Sequence, residues 1–128
     1  TSTVVGIQAQ RLVRTLCREC RKPYVALPEI VEETGLARFV AGSGPVTLYE
    51  PVGCPACAQT GFVGRVAIME ILPMTDGIQT LVMRHATSGD IQKQAILEGM
   101  LSMYEHGLRK VLAGVTTLAE VLRVTREA

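Results

Sequence analysis

The chain has 128 residues, 48% of them apolar, and a formal net charge of +1. That length allows one domain or two small subdomains. The near-neutral charge gives no global attraction to nucleic acid or an anionic membrane, and three Tyr, two Phe and no Trp argue against a base-stacking platform. No apolar run approaches the ~20 residues of a membrane span, and no secretory leader pattern is present. Mean hydropathy is +0.27, which is enough for a core and leaves some apolar surface for another body to cover. The chain begins at Thr1 rather than Met, as a processed chain or a piece of a longer one would.

Residues 1–16 read as a helix, a strand, or one then the other. Ser2 or Thr3 can cap a helix start, and Val5, Ala9, Leu12 and Leu16 recur at helical spacing. Gln10–Leu16 fits a strand equally well, because periodicity alone does not decide so short a run.

Cys17 and Cys20 form one C-x-x-C; Cys54 and Cys57 form the second, with 33 residues between the pairs. Each motif makes a tight turn that sets two sulfurs about 3.5–4 Å apart, as Zn–S bonds of ~2.3 Å require. Gly53 and Pro55 favour such a turn at the second pair. One C-x-x-C is a weak signal; two, with no other cysteine, are a strong one for a tetrahedral structural zinc ion. Three alternatives stand beside it. Disulfides need an oxidising compartment, which nothing here marks. A redox C-x-x-C opens a helix beside a βαβ pattern, which is not evident. A single iron shares the geometry, and spacing does not separate it from zinc. Structural zinc contributes roughly 10–16 kcal/mol of apparent binding free energy, against a net domain stability of roughly 5–15 kcal/mol. The metal is therefore expected to decide whether residues 17–57 fold. Arg14, Arg18, Arg21 and Lys22 flank the first pair and can offset the negative charge of four thiolates.

Residues 27–35 predict a short helix, with Pro28 at its first position, Glu29 favouring the N-terminus and Gly35 at its stop. Glu32 and Glu33 make a solvated acidic face, not a catalytic pair. Residues 41–45 are a loop, and Val46–Glu50 a short strand leading to the second pair. Gly61 and Gly64 mark a turn. Val66–Leu72 is almost continuously apolar and reads as a buried strand. Glu70 interrupts it and is expected in a structural ion pair, with an arginine for example.

Beyond Pro73 the pattern turns helical. Thr75 can cap a helix carrying Ile78, Leu81 and Val82, and Ser88 a second with Ile91 and Ala95. Ser102-Met103-Tyr104-Glu105 is a capping box opening a helix with Tyr104, Leu108, Val111 and Leu112 on one stripe, stopped near Gly114. Thr117-Leu118-Ala119-Glu120 is a second capping box. About four short helices result.

The sequence contains no P-loop and no H-E-x-x-H. His85 and His106 read as surface or helix-end residues, and the five Met as core filling. The residues describe a metal-stapled binding or assembly module of α+β class. It has a small zinc-binding lobe with short strands and a helix, followed by a mostly helical C-terminal subdomain.

Four stretches together resemble a known family. They are Gln10–Arg14 running to Cys17; the two cysteine pairs; Thr60–Arg65 leading to Ile68-Met69-Glu70; and Gly107–Val111 with Gly114–Thr117 and Glu120–Thr125. Their order and spacing are similar to the C-terminal part of the type II secretion ATPases, the general secretion pathway protein E family. The ATPases that assemble type IV pili are close relatives. The resemblance covers essentially the whole chain. It implies a cytoplasmic, hexameric ATPase, peripherally associated with the bacterial inner membrane, with a RecA-like motor and an inner-membrane secretion platform as partner. It implies residues 1–16 as the motor's tail (helix then strand), 17–73 as a tetracysteine zinc subdomain with Cys17, Cys20, Cys54 and Cys57 as ligands, and 74–128 as a helical subdomain. ATP and Mg²⁺ would be bound only in the intact protein, upstream of Thr1, so no catalytic residue is expected here. Arg65 matches the arginine of the family's glycine-rich turn. It is a candidate contact to a neighbouring subunit's nucleotide or to the assembly; the plainer role is an ion pair with Glu70 or another local carboxylate. No nucleic acid is expected as partner. The competing class is an independent zinc ribbon binding nucleic acid through Arg11, Arg14, Arg18, Arg21 and Lys22, which near-neutral charge and few aromatics disfavour.

Overall fold

The longest feature is an antiparallel ribbon of two strands, β1 (Gly6–Leu16) and β4 (Phe62–Pro73). The computed structural model describes residues 6–40, 42 and 44–125. Gly6 lies opposite Pro73 and Arg14 opposite Arg65; the register then slips, so that Leu16 faces Phe62. The described residues between these strands form a lobe at one end of the ribbon. The lobe holds β2 (Lys22–Val25), α1 (Pro28–Thr34), a 3₁₀ turn at Leu36–Phe39, β3 (Thr47–Glu50) and a second 3₁₀ turn at Pro55–Cys57. β2 and β3 make a separate antiparallel pair. Four helices follow: α2 (Asp76–Met83), α3 (Ser88–Leu97), α4 (Met103–Leu112) and α5 (Leu118–Thr125).

The helix expected within residues 1–16 is not found from Gly6 onward; Ser2, Thr3 and Val5 lie outside the described residues. The apolar spacing of Ala9, Leu12 and Leu16 does not mark a helical face. Ala9 and Leu12 are exposed, and the segment instead pairs with the apolar run of β4. That run is only half covered. Val13, Val66 and Ile68 share one face of the ribbon by register, and Val13 and Ile68 are fully buried. On the other face Leu12 and Ile71 are about half exposed, because a two-stranded ribbon packed on one helical layer leaves its second side open. Glu70 sits opposite Ala9 and is half-buried. Arg65, five residues earlier, points to the opposite face, since strand side chains alternate. The expected pairing of the two is therefore absent. Among the described residues neither joins an ion pair.

One core runs through the lobe, ribbon and helices. Val13 and Ile68 from the ribbon meet Ala26, Leu36, Val46 and Leu48 from the lobe, and Leu108, Val111 and Val121 from α4 and α5. Each fully buried Leu, Ile or Val contributes about 1.5–3 kcal/mol relative to exposure. Gly107 lets α4 approach closely; a Cβ there would lie 2.6 Å from Val121.

Local chemistry sets the helix ends. Pro28 opens α1 and Gly35 closes it in the left-handed region, φ 86°. Thr75 caps α2 by accepting from the Ile78 N–H. The cap of α3 is Thr87, accepting from Asp90 N–H, with Ser88 the first helical residue rather than the cap. Ser102 and Glu105 complete the capping box of α4. The second box is only half formed. Thr117 accepts the Glu120 N–H at 3.1 Å, but the Glu120 carboxylate reaches across to β1. β2 escapes the sequence pattern because Lys-Pro-Tyr-Val is exposed at every position and carries a proline, which belongs at strand edges. Among the described residues no helix is long and apolar enough to cross a membrane.

Candidate metal centre

The ribbon's bulged end and the turn before β4 bring the two cysteine pairs together. Cys17 follows β1 directly, and its N–H donates to the Gly61 carbonyl at 2.9 Å. Cys20 ends the turn, where the Arg21 N–H donates to the Cys17 carbonyl at 3.0 Å. On the opposing side, Pro55–Cys57 forms the 3₁₀ turn between Cys54 and Cys57.

The four sulfurs lie within 4.8 Å of one another. Cys17–Cys54, Cys20–Cys57 and Cys54–Cys57 are each separated by 3.8 Å. A regular tetrahedron of sulfurs about 2.3 Å from its centre has edges of about 3.8 Å, so these spacings fit a single enclosed ion. All four cysteines are free. Cys17 and Cys57 are buried, while Cys20 and Cys54 are half-buried. The cluster is thus closed on its inner side, as structural sites are.

Backbone amides support the sulfurs. Gly53 N–H donates to Cys20 Sγ at 3.3 Å, Cys54 N–H to Cys57 Sγ at 3.3 Å, and Gly61 N–H to Cys57 Sγ at 3.1 Å. Such contacts orient ligands and spread thiolate charge. Desolvation pushes the Cys57 thiol up, but the Cys54 and Gly61 amides outweigh it and hold it at about 6. Desolvation and donation to its sulfur neighbours push Cys54 up to about 11. Metal binding takes the deprotonated thiolates, so a divalent ion would release their protons. The donor set, spacing and amide contacts all fit Zn²⁺, which when bound would crosslink the two turns.

Gly61 carries more of the site than its place in a glycine-marked turn announces. Its N–H serves one pair and its carbonyl the other. Its φ is +84°, and a Cβ would lie 2.4 Å from Pro51 Cβ. Backbone donors leave no side-chain signature, which is why this role cannot be seen in the sequence.

The four flanking cations divide into two kinds. Arg14 lies over the Phe62 ring and pairs with Glu120; Arg21 lies over the Tyr49 ring and donates to the Gly114 carbonyl. Arg18 and Lys22 are exposed. Arg65 is exposed on β4, outside the sulfur cluster, with Arg14 opposite it in the ladder. His106 is half-buried in the first turn of α4, a helix-end residue as expected. Its Nδ1 accepts the Met69 N–H at 2.8 Å and so ties α4 to β4. His85 is exposed just beyond α2.

A family model described as "Type II/IV secretion system protein" matches residues 1–123. The chain is 47% identical over 128 residues to the type II secretion system protein E of Xanthomonas campestris, covering all of this chain and 22% of that protein. It is 42% identical over 127 residues to the type IV pilus assembly ATPase PilB of Myxococcus xanthus, covering 95% of this chain and 21% of that protein. It is 38% identical over 129 residues to the type II secretion system ATPase E of Vibrio cholerae, covering all of this chain and 24% of that protein. The chain thus spans less than a quarter of the length of these relatives.

Proposed function

Because the chain belongs to the type II/IV secretion system protein family, we propose that it is the C-terminal metal-binding and assembly region of a hexameric ATPase powering type II protein secretion. The sulfur cluster carries this reading: four sulfurs gathered at the two ends of the segment whose Ala26, Leu36, Val46 and Leu48 pack with α4 and α5. Cys17, Cys20, Cys54 and Cys57 hold one structural zinc ion. The lobe then forms a rigid attachment, and the helices pack on the motor and transmit its movement to the inner-membrane platform. The intact protein works in the cytoplasm, at the membrane surface. ATP and Mg²⁺ act in the motor, and this region does not hydrolyse ATP alone.

The experiment is elemental analysis of the purified protein with a ligand count from cobalt substitution. One zinc per chain with four sulfur ligands is expected; a metal-free, cooperatively folded protein with reduced thiols would reject the reading. Saturable binding to the platform protein's cytoplasmic domain is expected as well.

Arg65, exposed on β4 and without an ion pair among the described residues, is proposed as an inter-subunit nucleotide or assembly contact. Unchanged ATPase rate and hexamer formation in the intact Arg65→Ala protein would remove that role.

Type IV pilus assembly stands as the second reading, because the identity to the Myxococcus pilus ATPase lies between those to the two secretion relatives. A nucleic-acid ribbon is disfavoured further, since Arg14 and Arg21 are already engaged within the fold. It would require affinity that falls steeply with salt.

A further inference from the structure

The turn between α4 and α5 is bound to the chain on both sides of the first cysteine turn. Before it, the Leu16 N–H donates to the Val115 carbonyl at 2.8 Å, and the buried Thr116 hydroxyl donates to the Arg14 carbonyl at 2.7 Å. After it, Arg21 Nη1 donates to the Gly114 carbonyl at 2.5 Å. The same guanidinium lies 4.4 Å from the centre of the Tyr49 ring, on the strand that leads to the second cysteine pair. Gly114 is fitted to this contact. Its φ is +77°, and a Cβ would fall 2.7 Å from Arg21 Nη1 and 3.0 Å from the Tyr49 ring. Arg21 therefore closes the metal turn with its backbone and holds the C-terminal helix pair with its side chain.

We propose that Arg21 is a positioning residue coupling metal occupancy to the docking of α5. The proposal rests on the zinc reading above. With the metal bound, the two cysteine turns are crosslinked, and the distance between Arg21 and Tyr49 is fixed. The guanidinium then stacks on the ring and meets the Gly114 carbonyl at the same time. Lys22 pairs with Glu50 and Pro23 with Tyr49 in the β2–β3 ladder; without the metal that ladder loses the crosslink at its cysteine end and frays there, and the stack and the carbonyl contact are lost together. Lysine does not replace arginine here, since an ammonium has neither the planar face nor the rigid fork. Coupling of this kind is reciprocal: what metal does for α5, a docked α5 does for metal affinity. The competing account is charge alone, in which any nearby cation offsets the thiolates. Exposed Arg18, on the same turn, separates the two.

The test uses the intact protein under reducing conditions, with Arg21→Lys, Arg21→Ala, Tyr49→Leu and Arg18→Ala variants. Zinc transfer to a chromogenic chelator gives the release rate. Hydrogen exchange of residues 118–125, with zinc and after chelation, reports α5. Arg21→Lys and Arg21→Ala are expected to speed zinc release about tenfold, the lower end of what outer-shell substitutions cost, and Tyr49→Leu to speed it in the same direction. The Arg21 variants should also speed exchange in α5 while zinc is still bound, which Arg18→Ala should not. Arg18→Ala should match the unsubstituted protein in both. Equal effects of Arg18→Ala and Arg21→Ala, or full function in Arg21→Lys, would establish charge alone and overturn the proposal. Exchange in α5 indifferent to zinc would overturn it too. If Arg21→Ala does not fold, Arg21→Lys and Tyr49→Leu decide the question. A protein that takes up no zinc fails the metal reading itself and the coupling with it. One that binds zinc normally whatever stands at position 21 fails the coupling only.

Discussion

Arg14 and Glu120 are 106 positions apart, yet the Glu120 carboxylate accepts both the Arg14 backbone N–H at 2.7 Å and its Nη2 at 3.0 Å. Arg123 adds two more bonds, at 3.2 and 3.0 Å, to the same carboxylate. The Glu120 side chain is 3% exposed, while both arginines are more than half exposed. The arrangement fastens α5 to β1 through one buried acid. Glu120→Ala would leave a part-buried N–H without its acceptor and remove three charge-assisted bonds from two arginines. The arginines can rehydrate, which limits the loss to about 2–3 kcal/mol. Urea denaturation of the zinc-loaded protein should show that decrease at an unchanged m value.

The same carboxyl makes stability pH-dependent. Desolvation pushes Glu120 up, but the bonds from Arg123 and Arg14 prevail and hold it at about 2, against an ordinary 4.5. A depressed carboxyl contributes stability that is complete above about pH 4.5 and is lost as pH falls towards about 2. Below 4.5 the unfolded chain takes up the proton first, so acid favours unfolding. Glu120→Gln removes that contribution. The stability difference between the two proteins should be constant above pH 5 and shrink below 4.5. Taking the difference cancels acid release of metal, which both share.

These two residues also show where sequence reading stops. Thr117 and Glu120 have capping-box spacing, and the hydroxyl half of that box forms. The carboxylate half does not, because a partner from β1 arrives that no local pattern encodes. The cysteine pairs were legible because metal ligation demands a residue type at a spacing. The caps at Thr75 and Ser102 were legible for a similar local reason, while that of α3 fell at Thr87, one residue before the Ser88 expected. The face of β4 that packs was not, since an apolar run of seven residues is the same whether one side or both are covered. The Arg21 guanidinium finds a backbone carbonyl and Gly61 acts through its own amide and carbonyl, partners that no residue type marks.

Gly61→Ala tests the amide support of the sulfurs. The added methyl would meet Pro51 at 2.4 Å, in a left-handed conformation at φ +84°. Both effects push the Gly61 N–H away from Cys57 and its carbonyl away from the Cys17 N–H. Strain and displaced contacts together are expected to cost about 2–4 kcal/mol. Gly64→Ala is the control: its φ is +74°, but nothing lies within 4 Å of the new methyl. Melting temperature should fall much further for Gly61→Ala, and chelator should remove zinc from it faster.

His106 provides a second pH test. Desolvation, then the nearby Lys110 and Arg109, lower its pKa below the ordinary 6.5, so the folded protein holds the ring neutral while its Nδ1 accepts from Met69. Below pH 6.5 the unfolded chain protonates first, and stability declines. His106→Ala leaves the Met69 N–H unpaired, costing about 1–3 kcal/mol. Heteronuclear NMR titration of the ring should give a midpoint below 6.5, and a midpoint at or above 6.5 would contradict the geometry.

Metal removal should unfold more than the lobe. Ala26, Leu36, Val46 and Leu48 lie in the segment joining the two cysteine pairs, and they share one cluster with Leu108, Val111 and Val121. If chelation releases that segment, α4 and α5 lose the apolar surface they pack on. The roughly 10–16 kcal/mol of apparent zinc binding is as large as the whole net stability of an ordinary domain, so the ribbon and helices have little to fall back on. Chelation under reducing conditions should therefore abolish helical circular dichroism and lobe structure in one transition, and Cys54→Ser should behave like the chelated protein. Two separate transitions, with α4 and α5 persisting after the lobe has opened, would mean that the shared cluster is two cores in contact. Readdition of zinc should restore the helical signal with a stoichiometry of one ion per chain, because all four sulfurs converge on a single point.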